Sequence, residues 1–192
     1  RISVVSNGHV PSWMDLSNPR MRVIHQDAIA LDEQERFTFN TNSIEQNLWR
    51  IPSLSHQFIQ FNDDYFVMRD CPPSTFFNEH GGPVLLYENG VVNGGMKQVK
   101  KFLKDGGKVW VAGVFHTHAL IQTLVPRDKR LFWKYIKHAP FTYCKSYLQA
   151  LQTRAFPGVY HRAARHNRFR NHLDVLTPFI HHAFAFGSPD IL

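Results

Sequence analysis

A chain of 192 residues that is 43% hydrophobic is long enough to bury one sizeable core, and its composition excludes a disordered or collagen-like segment. Lys and Arg number 22 against 15 acidic residues, a net charge of +7, and twelve histidines can add to it below about pH 6.5. No run of about 18 apolar residues is present, which excludes a transmembrane helix within this stretch.

The alternating, β-branched start "RISVVSN" predicts a strand over residues 2–6 ending at Asn7-Gly8, and after a loop around Pro11, "MRVIHQD" predicts the next. An opening that is already a core strand and does not begin with Met is expected to be an excerpt of a longer protein. In "FNTNSIEQNLWRIPSL", Asn42 is placed to cap a helix with Glu45 three residues on. Ile44, Leu48 and Ile51 then share a face before Pro52 stops it. "HQFIQF" follows as a strand. Strand, helix, strand is the order of an α/β domain, in which ligands gather at the C-terminal ends of strands.

At such an end, in "FIQFNDDYFVM", stand Asn62, Asp63 and Asp64. The residues alone leave two readings open. Asn and Asp are ordinary turn residues, and adjacent carboxylates at a strand end also suit a hard divalent cation.

Residues 71–125 read as a loop-rich excursion. Within it, His116 and His118 of "HTH" could place two imidazoles on one strand face, with no third ligand nearby for zinc. From Pro126, "PRDKRLFWKYIK" predicts a basic amphipathic helix broken by Pro140 just after His138, and "YCKSYLQALQ" predicts a second. A third is expected after Asn171, with Asp174 at its third position, running through Pro178 with a kink toward Gly187. Residues 126–192 are therefore expected to be mainly helical.

The positive charge is concentrated after residue 96, so an anion suits the second half and a cation the first. Arg168 and Arg170 in "NRFRNHLD" precede the expected third helix, where a guanidinium can grip phosphate through two parallel hydrogen bonds. Cys71 and Cys144 are far apart with no CxxC, which gives no disulfide framework and points to a reducing compartment. The expected setting is cytoplasmic, with peripheral attachment at the inner face of the membrane an option for the full-length protein.

Two long stretches, "VVSNGHVPSWMDLSNPRMRVIHQDAI" and "FNTNSIEQNLWRIPSLSHQFIQFNDDYFV", resemble the second conserved region of the Stealth proteins. That family includes bacterial capsular polysaccharide phosphotransferases and the catalytic core of the lysosomal-enzyme N-acetylglucosamine-1-phosphotransferase. "KHAPFTYCKS" resembles its third region and "NRFRNHLDV" its later arginine-containing block. The resemblance implies a Rossmann-like, nucleotide-sugar-transferase core with a mainly helical C-terminal part, in one catalytic-domain fragment. The family's first region is absent before residue 1, its fourth is not evident after residue 187, and "EQNLW" stands where the family often has a histidine.

The implied activity moves a hexose- or N-acetylhexosamine-1-phosphate from a nucleotide sugar to a glycan hydroxyl, in capsular polysaccharide synthesis. Mg²⁺ or Mn²⁺ is the implied cofactor, with Asp63 and Asp64 as metal ligands. Asp64, His138 as base and Arg170 as phosphoryl clamp are the implied catalytic residues, and Asn62, Glu45 and Arg168 the implied substrate contacts. The expected partners are the nucleotide-sugar donor and a glycan acceptor, with no nucleic acid. The alternatives are a metal-dependent glycosyltransferase that moves the bare sugar, or a basic nucleic-acid-binding module using aromatics such as Phe132, Trp133 and Tyr135.

Overall fold

A computed structural model describes residues 1–92, 94–124, 134–159 and 168–187. Strands β1 (Ile2–Ser6) and β2 (Met21–His25) lie where the alternation placed them, paired in parallel from Ile2 opposite Met21 to Ser6 opposite His25. Helix α1 (Thr41–Gln46) continues into a 3-10 turn at Leu48–Arg50. Its apolar stripe is the expected one: Ile44, Leu48 and Ile51 pack with Ile29 against Val5 and Ile24 of the β pair. The cap is Asn40 rather than Asn42, its Oδ1 accepting from the Asn42 N–H at 3.1 Å. Asn42 is one residue inside the helix, with its side-chain amide engaged elsewhere.

Strand β3 (Gln57–Gln60) finds its partner more than eighty residues on, pairing antiparallel with a strand at Phe141–Cys144. Helices and strands are mixed as the α/β class requires. Among the described residues, however, the strands form three two-stranded pairs, of which only β1–β2 is parallel.

The expected loop-rich excursion holds only up to about residue 86. Strand β4 (Tyr87–Val91), helix α2 (Met96–Lys104) and the 16-residue helix α3 (Val109–Leu124) fill the rest. Helix α3 is apolar on nearly all sides, with Ala112, Gly113, Val114, Thr117, His118 and Ile121 buried, so it carries no amphipathic period to read. Gly113 lets it lie close to the chain at Leu176, because a Cβ there would stand 2.9 Å from the Leu176 side chain.

The helix expected over 126–137 is corrected at its end, where Lys134–Ile136 is strand β5, paired antiparallel with β4; residues 126–133 lie outside the described ones. Strand β6 (Phe141–Cys144) takes the start of the next expected helix, which begins only at Lys145. That helix, α4 (Lys145–Ala150), ends in a π-helical turn at Leu151–Ala155. The last helix, α5 (Thr177–Gly187), starts five residues later than expected. Pro178 therefore sits in its first turn, where the missing N–H has no partner to lose, and causes no kink.

The main core joins α3, α4 and α5 through Val114, Ile121, Leu151, Ile180 and Phe184. Beneath β6, Tyr143 stacks on His182 and meets His181 edge-on, all three fully or almost fully buried. His181 Nε2 accepts the Cys144 N–H at 3.0 Å, and His182 Nε2 lies 3.1 Å from the Thr142 carbonyl, so both rings tie α5 to β6. No helix among the described residues is long and apolar enough to cross a membrane.

Candidate active site

The antiparallel register of β3 and β6 puts the end of one beside the start of the other, Gln60 opposite Phe141. Beyond Gln60 the chain enters a turn closed by the Tyr65 N–H donating to the Asn62 carbonyl at 3.3 Å. Before Phe141 stands His138. Both segments therefore leave the same end of one ribbon, and His138 Nδ1 comes 3.8 Å from Asp64 Oδ2. Tyr65 meets the His138 ring edge-on with centroids 4.9 Å apart, and Gln60 Nε2 donates to Asn62 Oδ1 at 3.0 Å. The polar triplet is a turn, and the turn carries a carboxylate to a histidine.

A second set of contacts brings in Arg170. Asp174 is buried, and its carboxylate accepts from Asn40 Nδ2 at 2.9 Å, Asn42 Nδ2 at 3.0 Å and the Asn171 backbone N–H at 2.8 Å. This clamp fixes the 168–174 segment on the N-terminus of α1, with the Phe39 N–H donating to the Arg168 carbonyl at 2.7 Å and Phe39 stacked on Phe169. Arg170 is thereby held over α1, its Nη2 donating to Thr41 Oγ1 at 3.1 Å.

These elements enclose a cavity of about 450 Å³. Thr41, Asn42 and Glu45 of α1 line it together with Asn62, His138 and Arg170. Leu176, Pro178 and Phe179 add apolar lining, and Glu88, Trp110 and Tyr135 line it as well. Burial raises the Glu45 carboxyl to about 7, against the opposing pull of a hydrogen bond from Gln60 and the charge of Arg170. Burial and the Asp64 and Glu45 charges push the Tyr65 phenol up to about 12.

The sequence-expected residues divide accordingly. Asn62, Glu45, His138 and Arg170 meet around one cavity, and Asp64 stands at its edge beside His138. Asp63 is exposed and Arg168 is exposed, neither lining the cavity. His116 and His118 are on helix α3 rather than a strand. His118 Nδ1 lies 2.5 Å from the Gly94 carbonyl and His116 Nδ1 3.3 Å from the Asp174 carbonyl, and burial lowers both below the ordinary imidazole value. Among the described residues no three His, Cys, Asp or Glu side chains cluster as a preformed metal cage.

Several lining residues were not anticipated. Thr41 and Asn42 sit one turn before Glu45 on the helix face that sequence had already drawn, but Glu88, Trp110 and Tyr135 carry no motif.

Comparison with known proteins gives the family. The model of Stealth protein conserved region 2 matches residues 1–85 and that of conserved region 3 matches residues 137–186, together more than half of the chain. The capsular polysaccharide phosphotransferase WcwK of Streptococcus pneumoniae is 31% identical over 163 residues, 76% of this chain and 48% of the relative. SacB of Neisseria meningitidis serogroup A, a capsular polysaccharide phosphotransferase, is 27% identical over 190 residues, 98% of this chain and 32% of the relative. The exopolysaccharide phosphotransferase SCO6023 of Streptomyces coelicolor is 27% identical over 186 residues, 96% of this chain and 30% of its own. The chain thus spans half or less of the length of these relatives. The matched regions contain Glu45, Asn62, Asp64, His138 and Arg170, the residues that the fold gathers at the cavity, and the chain belongs to the Stealth family.

Proposed function

We propose that this chain carries the phosphotransfer site of an enzyme that moves a sugar 1-phosphate from a nucleotide sugar to a glycan hydroxyl, in capsular or exopolysaccharide synthesis. The observation that carries it is the convergence of a carboxylate-facing histidine and an arginine on one cavity, in a family whose relatives are named phosphotransferases.

The chemistry follows from the side chains. His138 Nδ1 faces the Asp64 carboxylate at 3.8 Å, an arrangement that favours a proton on that nitrogen and assigns Nε2 to take the proton of the acceptor hydroxyl. Asp64 then stabilises the imidazolium that forms. The hydroxyl oxygen bonds to the phosphorus bearing the sugar, the bond from that phosphorus to the bridging oxygen breaks, and nucleoside monophosphate leaves. Arg170 is the cation for the phosphoryl oxygens as charge redistributes. Glu45, with a carboxyl near 7, can present a proton to the substrate at neutral pH.

The donor set fits Mg²⁺ or Mn²⁺ arriving with the diphosphate rather than held in advance. Asn62 and Asp64 supply an amide oxygen and a carboxylate at the ribbon end, Asp63 adds a second carboxylate, and Mg²⁺ typically binds through one or two carboxylates plus substrate phosphates. When bound, such an ion would neutralise phosphate charge facing the incoming oxygen. The parallel β1–β2 pair is, on the same reading, part of a Rossmann-like nucleotide-sugar core.

The test is product analysis. The full-length enzyme, a panel of nucleotide sugars, a glycan acceptor and Mg²⁺ should yield nucleoside monophosphate and a phosphodiester resonance by ³¹P NMR. A glycoside with nucleoside diphosphate would instead establish the metal-dependent glycosyltransferase.

A further inference from the structure

We infer that Glu88, Trp110 and Tyr135 form a sugar-recognising wall of the cavity, shaped for the pyranose ring of a neutral sugar. The inference rests on the phosphotransfer reading and assigns the part of the cavity that reading leaves unused.

The lining of the cavity comes from different parts of the chain. Glu45, Asn62, His138 and Arg170 lie inside the stretches matched by the family models, whereas Glu88, Trp110 and Tyr135 all lie between them. The residues assigned to the shared chemistry and a separately encoded set thus line one cavity.

That surface has the chemistry of a carbohydrate subsite. Trp110, in the first turn of an otherwise largely buried helix, is 44% exposed and lines the cavity. Gly90 brings the Tyr135 ring against β4, since a Cβ there would lie 3.3 Å from its Cδ2. Glu88, on the same irregular stretch of β4, lines the cavity as well, so a carboxylate and a phenol border it from the two strands of one ribbon. A planar aromatic face beside an acceptor-only carboxylate suits the C–H face and hydroxyl donors of a pyranose.

Charge fixes the orientation and the class. The lining carries a cation at Arg170 and an anion at Glu88, so a ligand with an anionic phosphoryl end and a neutral, hydroxylated end fits, and a sugar carrying its own carboxylate is opposed. About 450 Å³ is within the ordinary range for a small-molecule site, about 300–1,000 Å³.

The neutral pyranose could belong to the donor or to the terminal unit of the acceptor, and kinetics separate them. Trp110→Ala in the full-length enzyme should raise KM about tenfold for one substrate only, donor or acceptor, with Trp110→Phe retaining most of the affinity. Glu88→Gln should narrow the preference for a hexose over the matching uronic acid on that same substrate. Unchanged KM for both substrates in Trp110→Ala, with unchanged preference in Glu88→Gln, overturns the inference. Titration calorimetry with a hexose 1-phosphate needs no turnover: weakened binding in Trp110→Ala but not in Trp110→Phe, with both folded by circular dichroism, supports the wall, and equal binding in both overturns it. A wild-type enzyme that binds the hexose 1-phosphate through Trp110 yet transfers nothing refutes the transferase reading and leaves the wall standing.

Discussion

Asp174 is the residue whose removal should cost this fold most for the fewest atoms. It is 1% exposed, and three donors converge on its carboxylate: the Asn40 and Asn42 amides and the Asn171 N–H. A hydrogen bond to a charged group contributes about 1.5–3 kcal/mol, and a buried donor left without an acceptor costs about 1–3 kcal/mol. Asp174→Ala strands the two buried amide donors and leaves the half-buried Asn171 N–H to solvent, which gives a loss of roughly 2–6 kcal/mol. Asp174→Asn keeps one oxygen and turns an NH₂ toward the others, for roughly 2–4 kcal/mol. Against a domain stability of about 5–15 kcal/mol, the alanine variant approaches unfolding. Urea denaturation of wild type and both variants measures this, and the asparagine variant should also lose transfer activity beyond its loss of stability, because the clamp positions Arg170 over Thr41. A loss under about 1 kcal/mol in both variants would refute the reasoning, since no arrangement with two buried donors on that carboxylate is compatible with it.

Arg170→Lys keeps the charge but loses the fork, and should cut turnover by roughly a hundredfold with an unchanged melting temperature, whereas exposed Arg168→Lys should stay within about twofold; the reverse result would exchange their roles. The buried His181 and His182 are neutral in the folded chain, held there mainly by burial, which brings His182 to about 4 and His181 well below the ordinary value. As pH falls below about 6.5 the unfolded state takes up these protons first, so stability is full above that value and is lost toward pH 4, by roughly 3 kcal/mol from His182 alone. Urea midpoints at pH 7, 5.5 and 4.5 should fall in order, with a shallower fall in His182→Asn, and identical slopes in the two proteins would contradict this. Glu45 has the opposite sign: its folded value near 7 lies above the ordinary 4.5, so the folded state is penalised as pH rises through that interval. Glu45→Gln should therefore raise the urea midpoint more at pH 8 than at pH 5, and an equal shift at both would show that burial does not act on this carboxyl.

What was legible in the sequence followed the local signals. Strands β1 and β2 and the apolar stripe of α1 are periodic, and they stand where the period put them. Helix α3 was missed because burial on nearly all sides erases the period, and β5 and β6 because strands of three and four residues owe their existence to partners far along the chain. The choice between Asn40 and Asn42 as cap could not be made locally. Both are good caps, and it is Asp174, from the other end of the chain, that engages both side-chain amides while the Asn40 oxygen caps α1. Asn62, Asp63, Asp64, Arg168 and Arg170 stood out by their chemistry alone, and only the family resemblance joined them with His138 and Glu45 into one candidate site. Glu88, Trp110 and Tyr135 belong to no motif, and nothing in the sequence states that β4 and β5 bring two of them together.

The pairing of β4 with β5 also bears on the order in which the molecule assembles. Joining β3 to β6 directly closes a loop of about 80 residues, and the entropy lost grows with the logarithm of loop length. The Lys137 N–H donates to the Leu86 carbonyl at 2.8 Å, so once β4 and β5 have zipped, the stretch between them no longer counts as slack. The remaining loop is about 30 residues, and its closure is easier by about 1 kcal/mol, several-fold in rate if closure limits folding. The chain thus has a kinetic reason to finish its middle first, and His138 meets Asp64 only as a late event.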